Sequence, residues 1–396
     1  MHAPVLPPPL PPVIDACNRA GGRALLVGGC VRDALMGIAQ KDVDVEVHGL
    51  DLDQLRKTLA HFGKVSEVGR SFGVLKLRIG RDEFDFSLPR RDSKVGAGHK
   101  GIVVIADPEL GALEAARRRD LTINAIAYNP ATGALVDPFD GRGDIERRVL
   151  RAVDAETFGE DPLRALRVAQ FAARFGFAVD PDLERLCSTM PLAELPAERV
   201  VIEIEKLMLL GIWPSLGWDF AFRTGIWHKV VPPWHRPCPP TLDRLARAAI
   251  VPPARRLAVM LAAALKAREV EGVLDTLRLH RWRGYALRAQ VHALTGAREC
   301  TAAGATDSDL RRLADSTDLA LYAALVNQPD LVPRATALGV LDGPLPRLLA
   351  GRDLAALGVL PGPGMGQLLD ALRAAQFDGQ VSTVEQARRW AAERLG

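Results

Sequence analysis

The residues best placed to do chemistry gather between Leu25 and Val47: Leu-Leu-Val-Gly-Gly-Cys-Val-Arg-Asp-Ala-Leu-Met-Gly, a short spacer, then Lys-Asp-Val-Asp-Val-Glu-Val. The pattern predicts a strand, a glycine turn, a short helix and a second strand carrying Asp42 and Asp44. Side chains two apart on a strand share a face, so both carboxylates aim at one place. Gly28 and Gly29 let the backbone approach something bulky and anionic, with a helix N-terminus behind them. Arg32 on that helix could reach the same anion. Alone, the aspartates read as the solvated face of a half-buried strand and the glycines as a plain turn. Their order and close spacing favour a phosphate cradle beside metal-ready carboxylates, the apparatus of phosphoryl or nucleotidyl transfer.

Asp85 sits between two aromatics in Glu-Phe-Asp-Phe-Ser-Leu-Pro-Arg. That position suits a metal-facing acid, although by itself a solvated strand face is the plainer reading. Arg90 to Lys100, basic and glycine-containing, reads as a mobile loop able to touch phosphate, or as an ordinary surface loop. In Arg117-Arg118-Arg119-Asp120-Leu-Thr-Ile-Asn124 the guanidinium forks could clamp a triphosphate, with Asp120 and Asn124 taking a ribose hydroxyl. A solvated charge run is the alternative.

Asp161, Arg164 and Arg167 recur at three-residue steps and share a helix face. They fit either an ordinary ion pair or a hydrogen-bonding edge for a nucleobase. A carboxylate accepts from an exocyclic amino group, and a guanidinium donates to ring acceptors. Cytosine and adenine both offer that pattern. Uracil and guanine present a carbonyl where the amino group should be, and the mismatch strands buried polar groups.

These groups need elements to carry them. Residues 1–12 are proline-rich and predict an extended lead-in. Val13 to Ala20 predicts a helix, as does Asp51 to Phe62. Lys64–Val68, Val74–Ile79 and Glu83–Leu88 predict strands of a small mixed sheet with helices on it. Asp137 to Asp144 is a turn-rich closure, and from Asp144 the pattern is helical to the end. Glu160, Asp161 and Pro162 open a helix whose apolar face is Leu163, Leu166, Phe171 and Phe175. Glu198 to Lys206 predicts a helix buttressing it. Trp213 to Pro240, rich in tryptophan and proline, reads as a connector. Leu242 to Gly396 reads as successive helices broken at Gly339–Pro346 and Pro361–Gly366.

A chain of 396 residues is too long for one ordinary core and implies about two to four domains. It is 48% hydrophobic and 25% charged with a net charge of +3, so any nucleic-acid contact must come from local basic patches. Its five cysteines are widely spaced with no C-x-x-C, which indicates neither a zinc site nor a disulfide framework and fits a reducing cytoplasm. The N-terminus lacks signal-peptide character, and no apolar run is long enough to span a membrane.

From about Leu25 to Leu210 the motifs Leu-Val-Gly-Gly-Cys-Val-Arg-Asp, Lys-Asp-Val-Asp, Arg-Arg-Asp-Leu-Thr-Ile-Asn-Ala, Asp-Pro-Phe-Asp-Gly, Glu-Asp-Pro-Leu-Arg-Ala-Leu-Arg and Glu-Arg-Val resemble the bacterial class II tRNA nucleotidyltransferases, the CCA-adding enzymes. These share a head with bacterial poly(A) polymerases. The resemblance implies an α+β fold: a polymerase-β-like nucleotidyltransferase head (mixed sheet with helices) followed by an all-α neck, body and tail. The implied divisions are 1–22, 23–144, 145–212 and 213–396.

It further implies that Asp42 and Asp44 hold two Mg²⁺, with Asp85 the third head carboxylate. Gly28, Gly29 and Arg32 would bind triphosphate, and Arg118, Arg119, Asp120 and Asn124 would form a second nucleotide motif. Glu160, Asp161 and Arg164 would be the amino-acid template for the base, with Arg167 an added nucleotide contact. The loop Arg90–Lys100 would help the switch from C to A addition. CTP, ATP and the acceptor arm of tRNA are the implied partners, with no obligate protein partner and no membrane. Gln170 stands where the family usually has an arginine, and no His-Asp dipeptide occurs, so no phosphohydrolase activity is expected. A partial enzyme adding only CC or only A, a poly(A) polymerase, and a non-catalytic tRNA-binding protein are the rival readings.

Overall fold

The computed structural model describes residues 3–39, 42–68, 73–94, 102–234, 239–248, 250, 252–300 and 304–395, excepting the side chains of 92–94, 102–104 and 300. Two compact units emerge: Met1–Leu207 with Leu216–His235, and Met208–Ser215 with Arg236–Gly396. Residues 23–144 and 145–207 fall in the first unit, while 208–212, the end of the expected neck, fall in the second.

The first unit opens with α1 (Leu10–Arg19), β1 (Arg23–Val27), α2 (Gly29–Leu35), β2 (Asp44–His48) and α3 (Leu52–Ala60). Helix α1 starts inside the proline run rather than after it, because its prolines occupy the first turn, where no amide donor is needed. An Asp51–Gln54 capping box starts α3. Next come β3 (Lys64–Val68), β4 (Val74–Ile79) and β5 (Asp82–Ser87), within a residue of expectation. The segment from Arg90, expected as a loop, instead gives β6 (Arg90–Lys94), paired antiparallel with β7 (Ile102–Ala106). The expected mobile part at 95–100 lies outside the described residues.

After α4 (Ala112–Arg117), strands β8 (Ala127–Asn129) and β9 (Ala134–Val136) complete a seven-stranded sheet in the order β3-β4-β5-β2-β1-β8-β9. Its β2–β5 pair is parallel while the other pairs are antiparallel, as a mixed sheet requires. Helix α5 (Gly141–Arg147) replaces the turn-rich closure. A short parallel pair, β10 (Val149–Leu150) and β11 (Ala178–Val179), interrupts the expected all-helical run. It brackets α6 (Ala155–Phe158) and α7 (Leu163–Phe175), and α8 (Pro181–Thr189) and α9 (Ala197–Leu210) follow.

Trp213 to Pro240 is no simple connector. It forms α10 (Pro214–Arg223) and α11 (Ile226–Val230), and Trp218, Trp227 and Trp234 pack with ring centroids 4.8 to 5.1 Å apart, all buried. Three mutually tilted aromatics make a core of their own. The second unit is helical in its described residues, with Pro253–Ala264, Leu287–Cys300 and Leu319–Val326 packed on one another. A smaller apolar cluster there joins Leu354, Leu372, Val381 and Ala387.

Candidate active site

The site is built where β1 turns into α2. Gly28 has φ +72°, a conformation that L side chains rarely adopt, and a Cβ there would lie 3.1 Å from Arg119 Nη1. Asp44 is the first residue of β2, and Asp42 lies two residues before it, just ahead of the strand. The parallel pairing sets Asp85 of β5 opposite Asp44. Partial desolvation by the cleft walls raises the Asp44 pKa; Asp85 and Asp42 raise it further, against Arg119. Asp85 also stands 3.7 Å from Lys76 Nζ. Among the described residues no group of three or more His, Cys, Asp or Glu side chains is gathered so as to hold a metal ion.

The alternation of β2 continues to Glu46, which sequence reasoning passed over. Glu46 is buried and receives Arg118 Nη2 at 2.9 Å and Arg119 Nη2 at 3.6 Å, with His48 Nε2 3.3 Å away. Burial would raise its pKa, but the neighbouring His48 ring and the two guanidiniums outweigh it and hold the carboxyl down at about 2. The two arginines expected to clamp phosphate are thus anchored from below.

Arg32, Asn124, Asp120 and Arg167 form a chain rather than four separate binding groups. Arg174 Nη2 donates to Asp33 Oδ2 at 3.1 Å, and Arg32 Nε donates to Asp33 Oδ1 at 2.8 Å. Arg32 Nη1 donates to Asn124 Oδ1 at 2.5 Å, Asn124 Nδ2 to Asp120 Oδ1 at 2.9 Å, and Arg167 Nε to Asp120 Oδ2 at 2.7 Å. Arg32 also lies over the stacked rings of Phe171 and Phe175. Burial would raise the Asp120 pKa, yet Arg167 and Asn124 bring it down to about 2.

Arg164 donates Nη1 to the Thr157 carbonyl at 2.6 Å and Nη2 to the Arg118 carbonyl at 2.5 Å. Asp161 Oδ2 accepts from Arg199 Nη2 at 2.9 Å.

One open cleft of about 420 Å³ takes in both groups. Gly28, Gly29 and Asp44 line it together with Asp161, Arg164 and Arg167. Arg32, Arg118, Arg119, Asp120 and Asn124 also line it, as do Arg90, from the segment expected to touch phosphate, and Arg199, which was not expected there. Seven arginines against three aspartates suit a polyanionic ligand. Asp42 and Asp85 are not among its lining residues, and Glu160 lines a neighbouring cavity with Arg90, Arg91, Arg117 and Arg118. Gln170 is 2% exposed and does not line the cleft; its Nε2 has no hydrogen-bond partner.

A seven-stranded mixed sheet with a glycine turn and Asp44 lining such a cleft is the arrangement expected of a nucleotidyltransferase head. Residues 24–151 match the family model described as the poly A polymerase head domain. The chain is 39% identical over 221 residues to the CCA-adding enzyme of Bordetella pertussis, a match covering 54% of this chain and 58% of that protein. Its fold resembles that of the Bacillus stearothermophilus CCA-adding enzyme in complex with CTP, with a TM-score of 0.71 at 23% identity over 98% of each chain. It also resembles the Thermotoga maritima CCA-adding enzyme complexed with tRNA-CCA, with a TM-score of 0.68 at 21% identity over 97% of this chain and 94% of that one. Among the described residues, no helix is long and apolar enough to cross a membrane.

Proposed function

We propose that the protein is a template-independent tRNA nucleotidyltransferase that adds CCA to the tRNA 3′ end from CTP and ATP, in the cytoplasm. The observation that carries the proposal is that Asp44 and the Asp161–Arg164 edge line a single cleft. One end handles phosphates and the other a base, and a nucleoside triphosphate presents both. The kinship of the head and the identity to the Bordetella CCA-adding enzyme support the same reading.

In the reaction, the terminal 3′-hydroxyl of the RNA attacks the α-phosphorus in line. The O3′–P bond forms, the bond to the bridging oxygen of pyrophosphate breaks, and the hydroxyl proton passes to solvent. Gly28 and Gly29 let the backbone meet the triphosphate, while Arg119 and Arg118, fixed by Glu46, present guanidinium to it. Asp161 accepts from the amino group of cytosine or adenine, and Arg164 donates to the ring acceptor.

Asp42 and Asp44 would hold the divalent metal, two Mg²⁺ in this proposal, with Asp85 as a further carboxylate. The like charges crowding Asp44 and the hard oxygen donors fit such an ion. Substrate phosphates and water would complete its ligands. When bound, it activates the attacking hydroxyl and neutralises the leaving oxygens. The helical C-terminal third would hold the tRNA by shape and phosphates.

The test is incubation of purified protein with tRNAs ending at the discriminator base, at C and at CC, each with CTP, ATP or both. Extension at every stage supports the proposal. Extension from one end only makes it a partial enzyme, and a long A tail makes it a poly(A) polymerase.

A further inference from the structure

Asp161 lies just ahead of α7, outside the helix that was expected to begin at Glu160, and only three residues before Arg164, near enough in the chain for the acid and the guanidinium to pair. A pair closed on itself would offer a base a poor edge, because its donors and acceptor would be spent on each other. Each of the two is instead held by other groups. Arg164 is seated by two backbone carbonyls, of Thr157 and Arg118, at 2.6 and 2.5 Å. Asp161 takes the Leu163 N–H on Oδ1 at 3.1 Å and Arg199 on Oδ2 at 2.9 Å. Both members of the Asp161–Arg199 pair are partly buried, their side chains 24% and 26% exposed. Arg199 sits in the first turn of α9, a different helix from the one that carries Arg164.

We infer that Arg199 is a positioning residue for base selection, fixing the orientation of the Asp161 carboxylate so that a lone pair faces the cleft. The inference rests on the function proposed above and adds a residue to it. Without Arg199, Asp161 keeps one backbone bond, from Leu163 N–H, and turns toward Arg164, the cation three residues on. The edge then loses its acceptor, and with it the reason to prefer an amino-bearing base to a carbonyl-bearing one. A carboxylate held by a guanidinium on one oxygen retains lone pairs on the other face, so the pair and the base are compatible.

The experiment compares CTP with UTP, first as kcat/KM on a tRNA ending at the discriminator base, then as equilibrium binding by calorimetry. Arg199→Met is expected to lower the CTP-over-UTP ratio ten- to hundredfold in both. Arg199→Lys, which keeps the charge but not the planar fork, is expected to lower it at least threefold but less than Met does. In an Asp161→Ala background, Arg199→Met should change the ratio by less than twofold. A merely structural role would lower the melting temperature and affect all nucleotides alike, leaving the ratio unmoved.

A ratio within twofold of wild type in either single variant overturns the inference. If Arg199→Met does not fold, Arg199→Lys decides alone by the same thresholds. The binding ratio needs no turnover. Loss of CTP preference in binding alongside absent tRNA extension would therefore refute the proposed reaction and leave this inference standing.

Discussion

Replacing Asp120 by Asn removes a charge from the centre of the chain that joins α2 to α7, while keeping the shape of the side chain. Asp120 is 7% exposed and accepts from Arg167 Nε, Asn124 Nδ2 and the Leu121 N–H. A carboxyl moved from its ordinary 3.8 to about 2 on folding contributes about 2 kcal/mol at neutral pH. The sign follows from the lowered value. The contribution is fully present above the unfolded pKa near 4 and is lost as pH falls through the folded value near 2. Asp120→Asn is therefore expected to destabilise the first unit by about 2 kcal/mol at pH 7, with the deficit closing below pH 4. Hydrogen exchange at the amides of α7 is the suitable assay, because a chain of two units need not unfold in one step. A double-mutant cycle with Arg167→Gln should return most of that energy as coupling. A cycle coupling below about 0.5 kcal/mol, or a deficit that stays constant from pH 7 to pH 3, would refute the assignment of the Asp120–Arg167 bond as the cause.

Asp44→Asn should lower nucleotide incorporation by at least about a thousandfold while tRNA binding, measured by gel shift, is retained. Gly28→Ala places a side chain at φ +72° and 3.1 Å from Arg119 Nη1, so about 1 kcal/mol or more of strain and a weaker apparent affinity for CTP are expected. Gln170→Leu removes a buried amide nitrogen that has no hydrogen-bond partner, so the melting temperature should hold or rise, and a fall would contradict that description.

How much of this the sequence carries depends on how far apart the partners lie. The strand–turn–helix–strand of β1, α2 and β2 is written locally, in period-two alternation and a glycine pair, and the sheet forms as those signals direct. The same alternation points to Glu46, two residues beyond Asp44, but the arginines that give it meaning are 72 and 73 residues away in the chain. Asp120 and Asn124 read as ligand groups; the side chains that hold them in the structure, Arg167 and Arg32, lie 47 and 92 residues away in the chain. The strand Arg90–Lys94 is polar throughout and shows no alternation; its pairing is imposed by the apolar Ile102–Ala106. The three tryptophans of the Trp213–Pro240 stretch come from two helices and a turn, so no period links them.

The bonds that run from Arg174 through Asp33, Arg32, Asn124 and Asp120 to Arg167 leave α7 and return to it two turns away. Such a loop behaves as a closed truss: rolling the helix about its axis strains both anchor points together. On the proposed reading, the spacing between phosphate floor and base-reading edge is then a fixed gauge. A purine in place of a pyrimidine has to be accommodated by the short run ahead of the helix, around Thr157 and Asp161, and not by tilting the beam itself.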